Sequence, residues 1–371
     1  MNPFNYGQIV EKEDFCRRPE LNKKLAGSIK KGQNVYIQGE RRIGKTSLIC
    51  ETIRKLKKYR MLYIDLLEAK TSNDLLKRMI LALISMEKKA GYFEKVLLKL
   101  SHIRPVASID PITGLPTLTV DASVELKPDS IPEILDLISS YHSKTKPLVV
   151  VFDEFQDVLN LKDARQTLAM LRSKIQFQSD IPYVFAGSIR NKMDSIFNDP
   201  DSAFFKSAIP VYVGPLDTDI FKQFIKNKFK SGKRQISAET LNSIFGICFN
   251  ITGDIQQLCS ALWDLTSSGD LISGEQMPAA LEQIFLHELK GYETILKIIS
   301  RQQLKLLTAL ARLGGKAPMS SEFLKNSGIA QASSVQRALS RLIKLRIVFH
   351  YENEFRFTNP FFRAWLLHKK L

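Results

Sequence analysis

The sequence predicts an α/β protein, a parallel β-sheet sandwiched by helices, followed by a helical segment and a winged helix-turn-helix. Three observations carry that prediction. Short apolar, β-prone runs alternate with helical apolar spacing through residues 34–213, the rhythm that builds parallel sheets with crossover helices. A glycine-bearing loop, Gly39-Glu40-Arg41-Arg42-Ile43-Gly44-Lys45-Thr46, separates the first such strand from the helix that follows. From residue 291 onward the pattern changes to three short helices and a two-stranded ribbon.

The bulk properties frame this. A chain of 371 residues accommodates two or three domains. Hydrophobic residues are 44% and charged residues 25% of the chain, as in soluble globular proteins. No apolar run approaches the roughly eighteen residues of a membrane-spanning helix, so no membrane partner is expected. The opening Met1-Asn2-Pro3-Phe4-Asn5-Tyr6-Gly7 lacks the basic-then-apolar pattern of a signal peptide. Cys16, Cys50, Cys248 and Cys259 form no C-x-x-C pair and have no clustered histidines. They read as buried free thiols in a reducing cytoplasm, not as metal ligands or a disulfide framework.

In chain order, residues 15–21 lead into a helix with Leu21, Leu25 and Ile29 on one face, a segment placed to cover a nucleotide base. Residues 34–38 read as the first strand and 47–59 as a helix with Leu48, Ile49, Ile53 and Leu56 at helical spacing. The loop between them fits G-x-x-x-x-G-K-[ST], the phosphate-binding P-loop. Its glycines let the backbone approach an anion, and its N–H groups and the following helix N-terminus favour phosphate. Lys45 is expected on the β- and γ-phosphates, the Thr46 hydroxyl on Mg²⁺, and Ser47 beside them. Residues 61–66 read as a second strand. Thr71, with Asp74 three residues on, reads as the cap of the next helix. Residues 103–125 break the rhythm and read as a β-hairpin insertion.

The run Pro147-Leu148-Val149-Val150-Val151-Phe152-Asp153-Glu154 is the second decisive stretch. Continuous apolar residues suit a strand buried on both faces, and its acids fall at the C-terminal end, where open α/β sheets bind ligands. This is the Walker B pattern. Asp153 is expected to hold Mg²⁺, and Glu154 to orient and polarise the attacking water. A helix with Arg165, Arg172 and Lys174 follows, then a buried strand ending at Ser188, a candidate γ-phosphate sensor. Arg190 is a candidate charge-stabilising arginine. Residues 211–213 read as the last strand of the core.

Four helical patterns occupy residues 219–290. Beyond them the charge is uneven. Residues 291–371 hold fourteen lysines and arginines against four glutamates and no aspartate, so +10 of the chain's +16. That excess suggests an anionic partner, duplex DNA first. In the helix 333–345, Val335, Leu339, Leu342 and Ile343 are expected inward. Arg337, Arg341 and Lys344 fall on another face, where a DNA-reading helix carries charge. Glu352 and Glu354 are expected at the wing tip, where they would repel phosphate, so a protein partner is the alternative.

With these pieces in place the chain resembles the prokaryotic STAND-type ATPases of the AAA+ superfamily, the archaeal-type ATPases with a helical lid and a C-terminal winged helix. The resemblance rests on Asn2-Pro3-Phe4, the box from Phe15 to Leu21, the loop through Leu48 and Asp153-Glu154-Phe155. It continues through Gly187-Ser188 with Met193, Gly214-Pro215-Leu216 and Asn359-Pro360-Phe361-Phe362-Arg363-Ala364-Trp365-Leu366. It implies a P-loop ATPase core over residues 1–215, a lid over 216–290 and a winged helix over 291–371. It also implies ATP, ADP and Mg²⁺ as ligands, and a nucleotide-dependent switch, often in larger assemblies or oligomers. Arg18 is implied near the adenine, although the family's Gly-Arg is here Arg17-Arg18. The lid's Gly-x-Pro is here Gly253-Asp254-Ile255, so no sensor arginine carries over, and Lys206 is the only basic residue just before Pro210. A DNA-binding initiator or transposition-type ATPase, and an interaction scaffold that binds nucleotide without turnover, are the other readings.

Overall fold

The computed structural model of the chain describes residues 1–86, 105–109, 116–120, 128–188 and 190–369. They form two compact units, Ile9–Gly214, and Met1–Gln8 together with Pro215–Leu371.

The first unit begins with α1 (Pro19–Lys30), β1 (Val35–Gln38) and α2 (Lys45–Lys55). β2 (Arg60–Asp65) and α3 (Ser72–Met86) follow. Next come the hairpin β3 (Pro105–Ile109) and β4 (Pro116–Val120), then α4 (Ile131–Ser139), β5 (Leu148–Asp153) and α5 (Ala164–Ile175). β6 (Tyr183–Gly187), α6 (Arg190–Phe197) and β7 (Ile209–Tyr212) close it. The central sheet runs β2-β5-β6-β1-β7 with every pairing parallel. Such pairings need crossovers, and the helices supply them. All six residues of β5 are buried, as the unbroken apolar run requires. The register sets Asp65 beside Asp153 and Gln38 beside Gly187, so the C-terminal ends of these four strands align. The last strand starts two residues before the expected 211–213 and includes Pro210. β7 lies at the sheet edge, where a missing N–H breaks no ladder, so proline is tolerated. β3 and β4 pair antiparallel outside this sheet, Pro105 opposite Val120. The expected turn between them, residues 110–115, lies outside the described residues, as do 103–104 and 121–125.

Thr71 and Asp74 cap α3 reciprocally. The Asp74 N–H donates to Thr71 Oγ1 at 3.1 Å, and the Thr71 N–H to Asp74 Oδ2 at 3.0 Å. Below the acidic end of β5 lies an aromatic cluster. Phe155 and Phe185 have ring centroids 4.6 Å apart, and Phe152 stacks on Phe185 at 5.8 Å. Phe197 and Phe204 complete it. Phe152 and Phe155 are fully buried, which fixes the chain on both sides of Asp153-Glu154.

The second unit opens with α7 (Thr218–Ser231), capped by the Asp217 carboxylate on the N–H groups of Asp219 and Ile220. β8 (Gln235–Ile236) and β9 (Leu271–Ile272), a short parallel pair, bracket α8 (Ala238–Ile247) and α9 (Thr252–Asp264). α10 (Met277–Ile298) follows and runs unbroken through the expected boundary at 290 and 291. The N-terminal residues join this unit. Asn2 Nδ2 donates to Ser260 Oγ and Asp264 Oδ1, each at 2.9 Å, and Phe4 packs 4.6 Å from Phe229.

The winged helix comprises α11 (Arg301–Leu313), α12 (Ser321–Ser327), α13 (Ala332–Lys344), β10 (Val348–Tyr351) and β11 (Glu354–Phe357), closed by α14 (Pro360–His368). Ser300 and Ser320 cap the first two helices. In α13, Val335, Ala338, Leu339 and Leu342 are buried, but Ile343, expected inward, is 40% exposed. It follows Leu342 by one residue, a rotation of about 100°, and so falls at the rim of the buried stripe. α14 returns to α10, where Tyr292 lies 5.2 Å from the rings of both Phe362 and Trp365. Glu288 links three segments, accepting from Gln257 at 3.0 Å, Tyr292 at 3.1 Å and Asn359 at 2.5 Å. Among the described residues no helix is long and apolar enough to cross a membrane, and the four cysteines are free and buried.

Candidate functional site

The loop Gly39-to-Thr46 joins β1 to α2 at the C-terminal edge of the sheet, where the acidic end of β5 also emerges. Its backbone is bent by two left-handed residues, Arg42 at φ 62° and Gly44 at φ 93°. The second lies where an L side chain is strained, so glycine is required. Arg41 and Arg42 are exposed, whereas Ile43 is buried. Lys45 turns back over the loop, donating to the carbonyls of Gly39 at 3.0 Å and Glu40 at 2.9 Å. Burial pushes its ammonium pKa down, and the charges of Glu154 and Asp153 oppose that shift. Ser47 Oγ accepts from the Val10 N–H at 3.1 Å, tying the N-terminal segment of this unit to α2.

Thr46 and Asp153 meet. The Thr46 hydroxyl donates to Asp153 Oδ2 at 2.6 Å, and the Tyr63 hydroxyl, from β2, donates to the same oxygen at 2.7 Å. Burial, then the neighbouring Asp153 charge, pushes the Tyr63 phenol pKa up, so it stays a proton donor. Asp153 Oδ1 accepts the Glu154 N–H at 2.9 Å. Glu154 is half-buried with φ 49°, left-handed for a non-glycine residue. Its Oε2 accepts the Ser188 hydroxyl at 2.8 Å and the Gln156 amide. The Ser188 N–H donates to Gln156 Oε1 at 3.3 Å. Lys45, Thr46, Asp153, Glu154 and Ser188 thus converge. Arg190 opens α6, and its side chain lies outside the described part of the structure.

Arg18 is placed differently from an adenine contact open to ligand. It is 8% exposed, and its guanidinium donates to the carbonyls of Gly214 at 2.6 Å and Ile43 at 2.9 Å. Burial lowers its pKa to about 10, which leaves it charged at neutral pH.

Sequence reasoning missed Tyr63 and Gln156. Neither belongs to a phosphate or metal motif. Tyr63 had one retrievable signal, its position near the end of the strand paired with β5. Among the described residues no cluster of three His, Cys, Asp or Glu side chains could hold a metal by itself.

On the winged helix, Arg337, Arg341 and Lys344 are exposed along α13, well away in sequence from the loop. The wing differs from expectation. Glu354 is not an uncompensated acid, because its carboxylate pairs with Arg356. The Arg356 guanidinium also lies 4.1 Å from the Tyr351 ring centroid and 5.4 Å from that of Phe249. Of the two acids, only Glu352 stands exposed at the turn.

Among solved structures, a Walker-type ATPase of Pyrococcus abyssi aligns over 98% of this chain and 99% of its own, with TM-score 0.69 and 19% identity. The ORC2 protein of Aeropyrum pernix, in ADPNP–ADP complexes, aligns over 100% of this chain and 98% of its own, with TM-score 0.57 and 14% identity. The fold is the α/β P-loop NTPase fold, a parallel central sheet with a C-terminal winged helix domain. Its C-terminal part, residues 290–368, matches the family model described as a probable winged helix domain. No curated protein sequence matches the chain. In this chain the sheet end that carries Lys45, Asp153 and Glu154 is also the end at which open α/β sheets bind ligands.

Proposed function

We propose that the protein binds ATP with Mg²⁺ and hydrolyses it, acting as a STAND-type switch whose winged helix engages duplex DNA. One observation carries the nucleotide reading. The Thr46 hydroxyl lies 2.6 Å from Asp153 Oδ2, and the Lys45 ammonium feels the charges of both Glu154 and Asp153. The donor set fits Mg²⁺. Thr46 and Asp153 offer hard oxygens. Mg²⁺ is commonly held by one or two carboxylates, keeping water and taking its remaining ligands from phosphate, and Asp153 supplies one carboxylate here. Bound there, Mg²⁺ would neutralise charge on the β- and γ-phosphates. Lys45 exchanges its loop carbonyls for phosphate oxygens. Glu154 orients water and accepts its proton on Oε1, while the Ser188 hydroxyl donates to Oε2.

We assign the unit Ile9–Gly214 as the ATPase core, and in the other unit a lid over 216–290, which Met1–Gln8 joins, and a winged helix over 291–371. The DNA reading rests on the exposed Arg337, Arg341 and Lys344 and on the pairing of Glu354 with Arg356, which removes one expected repulsion. Titration of the full chain with ADP and a non-hydrolysable ATP analogue, with and without Mg²⁺, tests the core reading beside Lys45→Ala. We expect Mg²⁺-dependent binding that Lys45→Ala abolishes or greatly weakens. Wild-type affinity in that variant would remove the P-loop assignment.

A further inference from the structure

Gln156 has no part in the motifs above, yet it is 1% exposed and both ends of its amide are used within the site. Its Nε2 donates to Glu154 Oε2, and its Oε1 accepts the Ser188 N–H at 3.3 Å. These partners fix the orientation of the amide, since only Nε2 can donate to a carboxylate and only Oε1 can accept from an N–H. The side chain therefore bridges the ends of two neighbouring strands, β5 and β6. Glu154 needs such a bridge. Its backbone is left-handed at φ 49°, a strained conformation that persists only where its surroundings hold it. Phe155, between the two residues, is fully buried against Phe152, Phe185 and Phe197, so the Gln156 backbone has little freedom to shift. The fit is tight on the other side too. A Cβ at Gly187 would stand 2.5 Å from Gln156 Oε1, closer than real Cβ contacts come, so glycine there keeps the amide in place.

We infer that Gln156 is the positioning residue for Glu154, holding the carboxylate of the proposed base in register with the Ser188 end of β6. This rests on the ATPase reading of the site. A glutamine that only filled space would not need its donor on a carboxylate that already accepts the Ser188 hydroxyl. With the amide in place, Glu154 Oε2 receives two donors and its other oxygen is left to act on water.

The test uses the full-length chain, with kcat expressed per bound nucleotide and ADP affinity measured separately. Gln156→Met keeps the volume and removes both polar ends. We expect kcat to fall about tenfold to a hundredfold, as misplacement of a reacting group does, with ADP affinity within about twofold of wild type. A merely structural role would lower melting temperature and the number of nucleotide sites, leaving kcat per site where it was. Wild-type kcat per site in Gln156→Met overturns the inference while leaving the ATPase reading intact. A wild-type chain that binds no nucleotide overturns both.

Discussion

Arg18 provides the sharpest test of how the Gly39-to-Thr46 loop is held. The family resemblance implies a place near the adenine, whereas in the structure its guanidinium is a strut between the carbonyls of Ile43 and Gly214. Ile43 lies between the two left-handed residues Arg42 and Gly44, so Arg18 fixes the loop at its most bent point. Arg18→Ala removes two charge-assisted bonds and leaves two carbonyls short of a donor at a position only 8% exposed. Each such loss costs about 1–3 kcal/mol, so the pair amounts to roughly 2–6 kcal/mol. A unit of this size loses about 2–4 °C of melting temperature per kcal/mol. The expected fall is then roughly 4–24 °C, with nucleotide affinity reduced as the loop loosens. Arg18→Lys should recover only part of this, because one ammonium cannot reproduce a two-pronged guanidinium. Differential scanning fluorimetry and nucleotide titration on the same samples separate the alternatives. An unchanged melting temperature with lost affinity would refute the strut and make Arg18 a ligand contact.

Glu154→Gln keeps the shape and leaves Asp153 in place, but it cannot accept a proton. It should bind ATP and Mg²⁺ normally and lose phosphate release by roughly a hundredfold or more, and unchanged release would mean another group positions the water. Glu51 accepts from Arg54 at 2.8 Å, Lys55 at 3.2 Å and the Lys12 N–H at 3.2 Å, and Arg54 first among these holds its carboxyl down at about 2. A carboxyl lowered on folding stabilises above its unfolded pKa of about 4.3 and loses that contribution as pH falls toward 2. Glu51→Gln should therefore be about 1–2 kcal/mol less stable than wild type at pH 7, after discounting for the solvent that screens Arg54. The gap should narrow below pH 4, and a pH-independent gap would contradict the assignment. Changing Arg337, Arg341 and Lys344 together to Ala should weaken duplex DNA binding for all sequences. Log affinity against log salt should become shallower by about 0.9 for each phosphate no longer neutralised, and a wild-type chain with no affinity for duplex at low salt would turn this face into a protein docking surface.

What could be read from the sequence follows from how local each signal is. The P-loop and the Asp153-Glu154 ending of β5 are contiguous motifs with a strand on a fixed side, so their position at one edge of the sheet could be read before any coordinates. Helix periodicity placed α11, α12 and α13 to within a residue or so, because their stripes are buried against one another. Ile343 was misplaced because a stripe one residue wide cannot say where its rim lies. The Ile209–Tyr212 strand was cut short because Pro210 reads as a breaker until its place at a sheet edge is known. Arg18, Tyr63, Gln156 and Arg356 were illegible for a common reason. The partner of each lies on another element or across a turn, and no spacing rule connects them. The Tyr63 bond to Asp153 and the Ser188 bond to Gln156 exist only because the parallel register brings β2, β5 and β6 to a common end. The division of labour is physical. The motif residues carry the groups that phosphate and metal require, and their type is therefore constrained in sequence. The residues that aim them are constrained only by the space and the donors the fold leaves. A tyrosine on one neighbouring strand and a glutamine one turn beyond β5 meet that need here, and each acts on a single oxygen of an acid that the sequence had already marked.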